Sequence, residues 1–124
     1  MAARRVLSVG QCFADHSAIS RTLRTQFAAE VVPADDAEEA LQRVREEAFD
    51  LVLINRIFDR DGSQGLELIK ELKADEKTAQ IPVMLVSNYE DSQQQAVAAG
   101  AVPGFGKSAL GHPQMLGRVK SYLS

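Results

Sequence analysis

The apolar and polar positions of this chain follow two alternating periods. Leu51-Val52-Leu53-Ile54 is a short apolar run without polar alternation, which predicts a strand buried on both faces at the centre of a parallel sheet. It stops at Asn55, and the polar stretch that follows, Asp59-Arg60-Asp61-Gly62-Ser63, has turn chemistry. Similar runs predict strands near 5–9, 31–33, 51–55, 83–87 and 102–106; the last is weakened by Pro103, Gly104 and Gly106. Between them the period changes to that of a helix face. Ile19, Leu23 and Phe27 follow an expected cap at Asp15, and Ala37, Ala40, Leu41, Val44 and Ala48 follow one at Asp35 or Asp36. Leu66, Ile69 and Leu72 mark a helix from Gly65 to Asp75. A short helix capped by Asp91 or Ser92 runs to Ala99 and is ended by Gly100. Met115, Leu116, Val119 and Leu123 form the last stripe, behind Pro113 in its first turn.

Strand followed by helix, repeated along the whole chain, predicts parallel strands joined by right-handed crossovers. The expected architecture is an α/β three-layer sandwich with the sheet in the middle, a single domain over residues 1–124. Leu7, Leu53 and Leu85 should be nearly fully buried. In such sheets ligands sit at the carboxyl ends of central strands, which makes Asn55 the residue to explain.

Composition narrows the function classes. Lys and Arg number 14 against 17 Asp and Glu, a net charge of −3, so no basic footprint for nucleic acid is present. Cys12 is the single cysteine, which excludes an internal disulfide and fits a reducing, cytoplasmic setting. Met1 to Arg5 is a basic start with no apolar run behind it, so neither a secretory signal nor membrane insertion is expected.

Several stretches carry a family resemblance. Phe49-Asp50-Leu51-Val52-Leu53-Ile54, Gly65-Leu66-Glu67-Leu68-Ile69, Ile81-Pro82-Val83-Met84-Leu85-Val86-Ser87 and Ala98-Ala99-Gly100-Ala101 come in the order found in bacterial response-regulator receiver domains. Over nearly its whole length the chain resembles that family, in particular its chemotaxis-regulator type. The resemblance implies the flavodoxin-like strand order 2-1-3-4-5 and a role in two-component phosphorelay signalling. It also implies a set of site positions. The family's phosphoacceptor aspartate falls at Asn55, and its acidic Mg²⁺ pair falls at Gly10 and Gln11. Its hydroxyl is kept as Ser87 and its lysine as Lys107, while the proline after that lysine is Ser108. Its switch aromatic falls at Gly104, leaving Tyr89 or Phe105 as the rings that could stand in, and a loose fifth strand is expected. The loop after Asn55 is longer than the family's.

The substitutions bear on chemistry. Transfer of a phosphoryl group to a side chain needs a nucleophile, and the amide of Asn55 is a very poor one. Mg²⁺ prefers carboxylate and phosphate oxygens, whereas Gln11 and Asn55 offer only amide carbonyls. What remains, Gln11, Asn55, Ser87 and Lys107, is expected to form a polar cluster around one cation, with Lys107 paired to Asn55 and backbone carbonyls. Simpler roles stand beside these. Asn55 suffices as a strand-end cap, Asp59 and Asp61 as members of a solvated turn, Cys12 as a small buried hydrophobe, and His16 and His112 as surface or capping residues.

The expectation is a degenerate receiver, a pseudo-receiver that is not an enzyme, needs no cofactor and works by contact with protein partners such as a kinase or another signalling domain. Its face is expected along 87–101 and 113–123, with Tyr122 and Met115 as apolar anchors. One alternative is a receiver using Asp59 or Asp61 as a shifted acceptor with Mg²⁺. Another is a pocket around Lys107 and Ser87 that senses a small anion or metabolite.

Overall fold

The computed structural model describes residues 3–124; Met1 and Ala2, the first residues of the basic start, lie outside the described residues. Strands β1 (Arg5–Val9), β2 (Glu30–Ala34), β3 (Leu51–Asn55), β4 (Val83–Val86) and β5 (Val102–Phe105) alternate with helices α1 (Phe13–Phe27), α2 (Ala37–Glu46), α3 (Gly65–Ala74), α4 (Glu90–Ala98) and α5 (Pro113–Leu123). All strand pairs are parallel and the order is β2-β1-β3-β4-β5, as the sequence implied.

β3 shows why its run carries no polar residue. Val52 and Ile54 pack with Leu7, Val9 and Leu85 under α2, α3 and α4. Leu51 and Leu53 pack with Val6, Met84 and Val86 under α1 and α5. Alternate side chains thus enter opposite layers, and both layers are apolar. Leu7, Leu53 and Leu85 are all buried. β2 lies at the sheet edge, where Pro33 costs no ladder bond.

Several local expectations are corrected. Cys12, not Asp15, caps α1; its Sγ accepts the Asp15 N–H at 3.5 Å, and Asp15 sits inside the first turn. Cys12 is half-buried, not a core residue. Asp36 does cap α2, its Oδ1 accepting the Glu39 N–H at 2.9 Å. That helix stops at Glu46, so Ala48 falls outside it and is exposed. The reason is Glu47, whose extended backbone brings its carboxylate between Arg5 and Arg43. In α3 the inward face is Leu68, Ile69 and Leu72, with Leu66 only half-buried. Neither Asp91 nor Ser92 caps α4, which starts at Glu90 behind Tyr89 without a side-chain cap; Asp91 Oδ1 accepts the Ser92 N–H instead.

Two close approaches shape the carboxyl edge of the sheet. Gly65 opens α3 against the end of β3, so a Cβ there would fall on the Asn55 carbonyl oxygen and lie 2.8 Å from Ile54 Cγ2. β5 carries a bulge: Met84 pairs with Val102 and Val86 with Phe105, so Leu85 alone faces both Pro103 and Gly104. The Gly65→Ala variant should lose about 1–3 kcal/mol of stability through overpacking. Urea unfolding checks this, with a lower midpoint and an unchanged slope expected.

Candidate functional site

β1, β3 and β4 end side by side, Val9 beside Ile54 and Asn55 beside Val86. The loops leaving these ends carry the expected site residues. Asn55 spends its whole amide on backbone. Its Nδ2 donates to the Gly10 carbonyl at 3.0 Å and to the Ile57 carbonyl at 2.7 Å, and its Oδ1 accepts the Arg56 N–H at 3.1 Å. Two of these three bonds need a donor. A carboxylate at this place would set its oxygen against two carbonyl oxygens.

Gly10 is held at φ +76°, in the left-handed region, and a Cβ built on it would fall inside the Phe58 ring. Phe58 is buried over this position. A small hairpin places it there. Ile57 bridges Gln64 in antiparallel fashion, the Phe58 N–H donates to Ser63 O at 2.9 Å, and the Asp59 N–H donates to Gly10 O at 3.0 Å. The longer loop thus folds back and packs Phe58 where the family's first acidic residue would stand. Asp59 and Asp61 lie exposed at its tip. Asp61 Oδ1 accepts the Ser63 N–H at 2.9 Å, and this bond holds the carboxyl below the usual range. Arg60 points to Asp35 and Asp36 at 3.5 and 3.8 Å.

Lys107 follows β5 in a short 3-10 turn. The expected cluster around it is corrected. Its ammonium pairs with Asp15 Oδ2 at 2.6 Å, not with Asn55, because the first turn of α1 brings a full negative charge within reach, whereas the one acceptor of Asn55, its neutral Oδ1, already takes the Arg56 N–H. Hydrogen bonding to Lys107, opposed by partial burial and aided by Cys12, holds the Asp15 carboxyl below its ordinary range. Ser87 is buried, and its Oγ accepts the Tyr89 N–H at 3.1 Å. Ser108 donates both its N–H and its hydroxyl to Asn88 Oδ1, at 3.2 and 3.0 Å.

Asn55, Ser87 and Lys107 do share one cleft of about 390 Å³, lined also by Arg56, Asn88 and Tyr89; Gly10 and Gln11 are not in its wall. Arg56 stacks its guanidinium 4.8 Å from the centre of the Tyr89 ring. Gln11 is buried, and neither atom of its amide has a partner among the described residues. The set does not suit Mg²⁺. Gly10 has no side chain, Gln11 and Asn55 are amides, and no group of three or more His, Cys, Asp and Glu gathers among the described residues. His16 is half-buried and burial holds its ring below the usual range, with Asp35 opposing; His112 is exposed before α5.

A larger cleft of about 740 Å³ lies between α4, β5 and α5. Met115, for which a surface anchor and a core role were equal expectations, is 1% exposed and belongs to the core, because it takes the inward position of the α5 stripe. Tyr122 is half-buried against the same core. Of the rings proposed to replace a switch aromatic, Phe105 is buried and Tyr89 is 58% exposed under Arg56. Four roles had escaped the sequence: Asp15 as the Lys107 partner, Phe58 as the filler over Gly10, Arg56 on Tyr89, and Gln93 beneath the second cleft. Only Phe58 gave a signal, a large aromatic residue at the start of a polar turn.

The Asp15–Lys107 pair is open to a pH test. The folded pKa of Asp15 lies below its unfolded value of about 3.9. The stability it adds is therefore complete above that value and lost as pH falls through the folded pKa. In Lys107→Ala the carboxyl titration of Asp15, followed by NMR, should move up towards the ordinary range. An unchanged titration would remove Lys107 as the cause.

Comparison with known proteins agrees with this fold. The family model described as response regulator receiver domain matches residues 13–110. The chain is 32% identical over 68 residues to chemotaxis protein CheY-3 of Vibrio cholerae, covering 55% of this chain and 51% of that protein. It is 33% identical over 90 residues to the transcriptional regulatory protein ZraR of Klebsiella oxytoca, covering 70% of this chain and 19% of that one. It therefore spans about half of one curated relative and about a fifth of the other. The signal receiver domain of a DNA-binding response regulator from Colwellia psychrerythraea superposes with a TM-score of 0.80 over 95% of this chain and 96% of that chain, at 21% identity, a likeness of fold. With the matched span running from the first turn of α1 to the turn that carries Lys107, the chain belongs to the response regulator receiver domain family, a signalling domain of two-component systems.

Proposed function

We propose that this receiver domain acts by protein–protein contact, without accepting a phosphoryl group at Asn55. One observation carries the reading: the Asn55 amide donates to the Gly10 and Ile57 carbonyls. The side chain is thus a neutral strap between two loops. The surroundings support the same reading, since Phe58 occupies the space over Gly10 and Lys107 is matched by Asp15. The proposal carries with it that no Mg²⁺ is held at Gly10, Gln11 and Asn55, and that the domain performs no chemistry of its own. The partner we infer is another protein, a kinase or a further signalling domain. Nucleic acid is disfavoured by the net charge of −3. No helix among the described residues is long and apolar enough to cross a membrane.

The cleft that holds Ser87 and Lys107 gives the anion alternative a place, but the contacts weigh against both alternatives. Asp59 and Asp61 project from the hairpin tip and do not line the cleft that holds Ser87 and Lys107. An anion at that cleft would compete with Asp15 for Lys107.

The test is treatment with acetyl phosphate and Mg²⁺ followed by intact-mass spectrometry. The unmodified protein should gain no phosphoryl group. Asn55→Asp should gain none and should also be less stable, because it loses the donor to both carbonyls. Adding Gly10→Asp and Gln11→Asp should leave the protein unlabelled while Phe58 is intact, since the ring blocks the new side chain. An adduct on the unmutated protein, mapped to Asp59 or Asp61, would overturn the proposal.

A further inference from the structure

The bulge in β5 interrupts the ladder between β4 and β5, which resumes where the Ser87 N–H donates to Phe105 O at 3.0 Å. One side chain reaches the backbone groups around it. Gln93, on the inward side of α4, donates its Nε2 to Leu85 O at 2.8 Å, Ser87 O at 3.1 Å and Phe105 O at 3.4 Å. Its Oε1 accepts the Gly104 N–H at 3.2 Å. From the other flank Arg118 of α5 donates to the Gly104 carbonyl. Gly104 has to be glycine in this arrangement: a Cβ there would fall on the Leu85 carbonyl oxygen and sit 3.0 Å from Gln93 Oε1. One amide thus ties a helix to both neighbouring strands, and it needs donor and acceptor together.

We propose that Gln93 is the positioning residue that locks α4 to the β5 bulge, and so holds the cleft between α4, β5 and α5 in one shape. The strand expected to be loose is pinned from both sides. Ser87, Asn88 and Tyr89 line this cleft and the smaller one at Asn55, so the lock also fixes the segment the two clefts share. The inference deepens the reading of a module competent without a trigger, but it rests on the Gln93 contacts alone. The charged groups in the cleft wall are Glu90 on α4 and Arg118 on α5, while β4 and β5 carry none.

The test uses the full chain and amide hydrogen exchange. Gln93→Leu keeps the bulk and removes every bond. Gln93→Glu keeps the shape, but at neutral pH its carboxylate can only accept, and it confronts three carbonyl oxygens. Protection of the Gly104 and Ser87 amides should fall about tenfold or more in both variants, with Leu53 at the sheet centre unchanged. Gln94→Glu, at the exposed neighbouring position, should match the unmutated protein. At about pH 5 the carboxyl introduced by Gln93→Glu, surrounded by acceptors, regains a proton and a donor, so that variant should recover protection while Gln93→Leu does not. Exchange at Gly104 and Ser87 equal to that of Gln94→Glu would overturn the proposal. If protection is lost throughout the sheet instead, recovery of Gln93→Glu at the lower pH supports it and failure to recover refutes it. A phosphoryl adduct on the unmutated protein would sink the proposed function and leave this result standing.

Discussion

The two-sided burial of β3 is the constraint on which the rest of the structure depends. Its four apolar residues feed both layers in alternation, so helices must cover both faces of the sheet. Parallel strands then end together at one edge, and the first polar side chain of the central strand emerges there. Asn55 owes its location to that geometry. Its role follows from what meets it: the two loops that leave β1 and β3 present carbonyl oxygens, and an amide nitrogen is the group that satisfies both.

At the same edge, charge and space are each matched by a neighbouring group. A family lysine left without nearby carboxylates would be an uncompensated charge beside a buried serine. Asp15 removes that problem from the first turn of α1. Both partners are about a third exposed, so the pair fixes the position of the turn after β5 more than it adds stability. Over Gly10 the site is filled by hydrocarbon. Phe58 reaches there because the longer loop closes as a hairpin, with Gly62 at φ +73° in the turn. The edge thus carries apolar packing on the Gly10 side and an ion pair on the Lys107 side.

Away from this edge, the α4 side of the sheet follows the same rule of satisfying backbone groups locally. A bulge stranded between two strands would leave buried carbonyls without donors, at a cost of about 1–3 kcal/mol each. Gln93 and Arg118 supply those donors from two different helices. The cleft beside them is bounded by elements that are mutually tied.

The sequence by itself determined the layers and the five strands, because period and burial are local consequences of which residues are apolar; the strand order came only from what the family resemblance implied. It also placed Asn55, Ser87 and Lys107 at one edge, since that follows from the ends of the strands. It misjudged helix starts at Asp15 and Asp91, where one residue of phase decides which oxygen reaches a free N–H. Leu66 was misread, and the choice between core and surface for Met115 stayed open, for a related reason: a stripe names a face, and only packing tells which member of it is innermost. The partner of Lys107, the ring over Gly10 and the bonds of Gln93 belong to tertiary structure alone. Each joins residues far apart in the chain, 92 positions in the case of Asp15 and Lys107, and no local pattern records which of several polar groups will meet. Distance in three dimensions chose among them, and hydrogen-bond geometry fixed the choice.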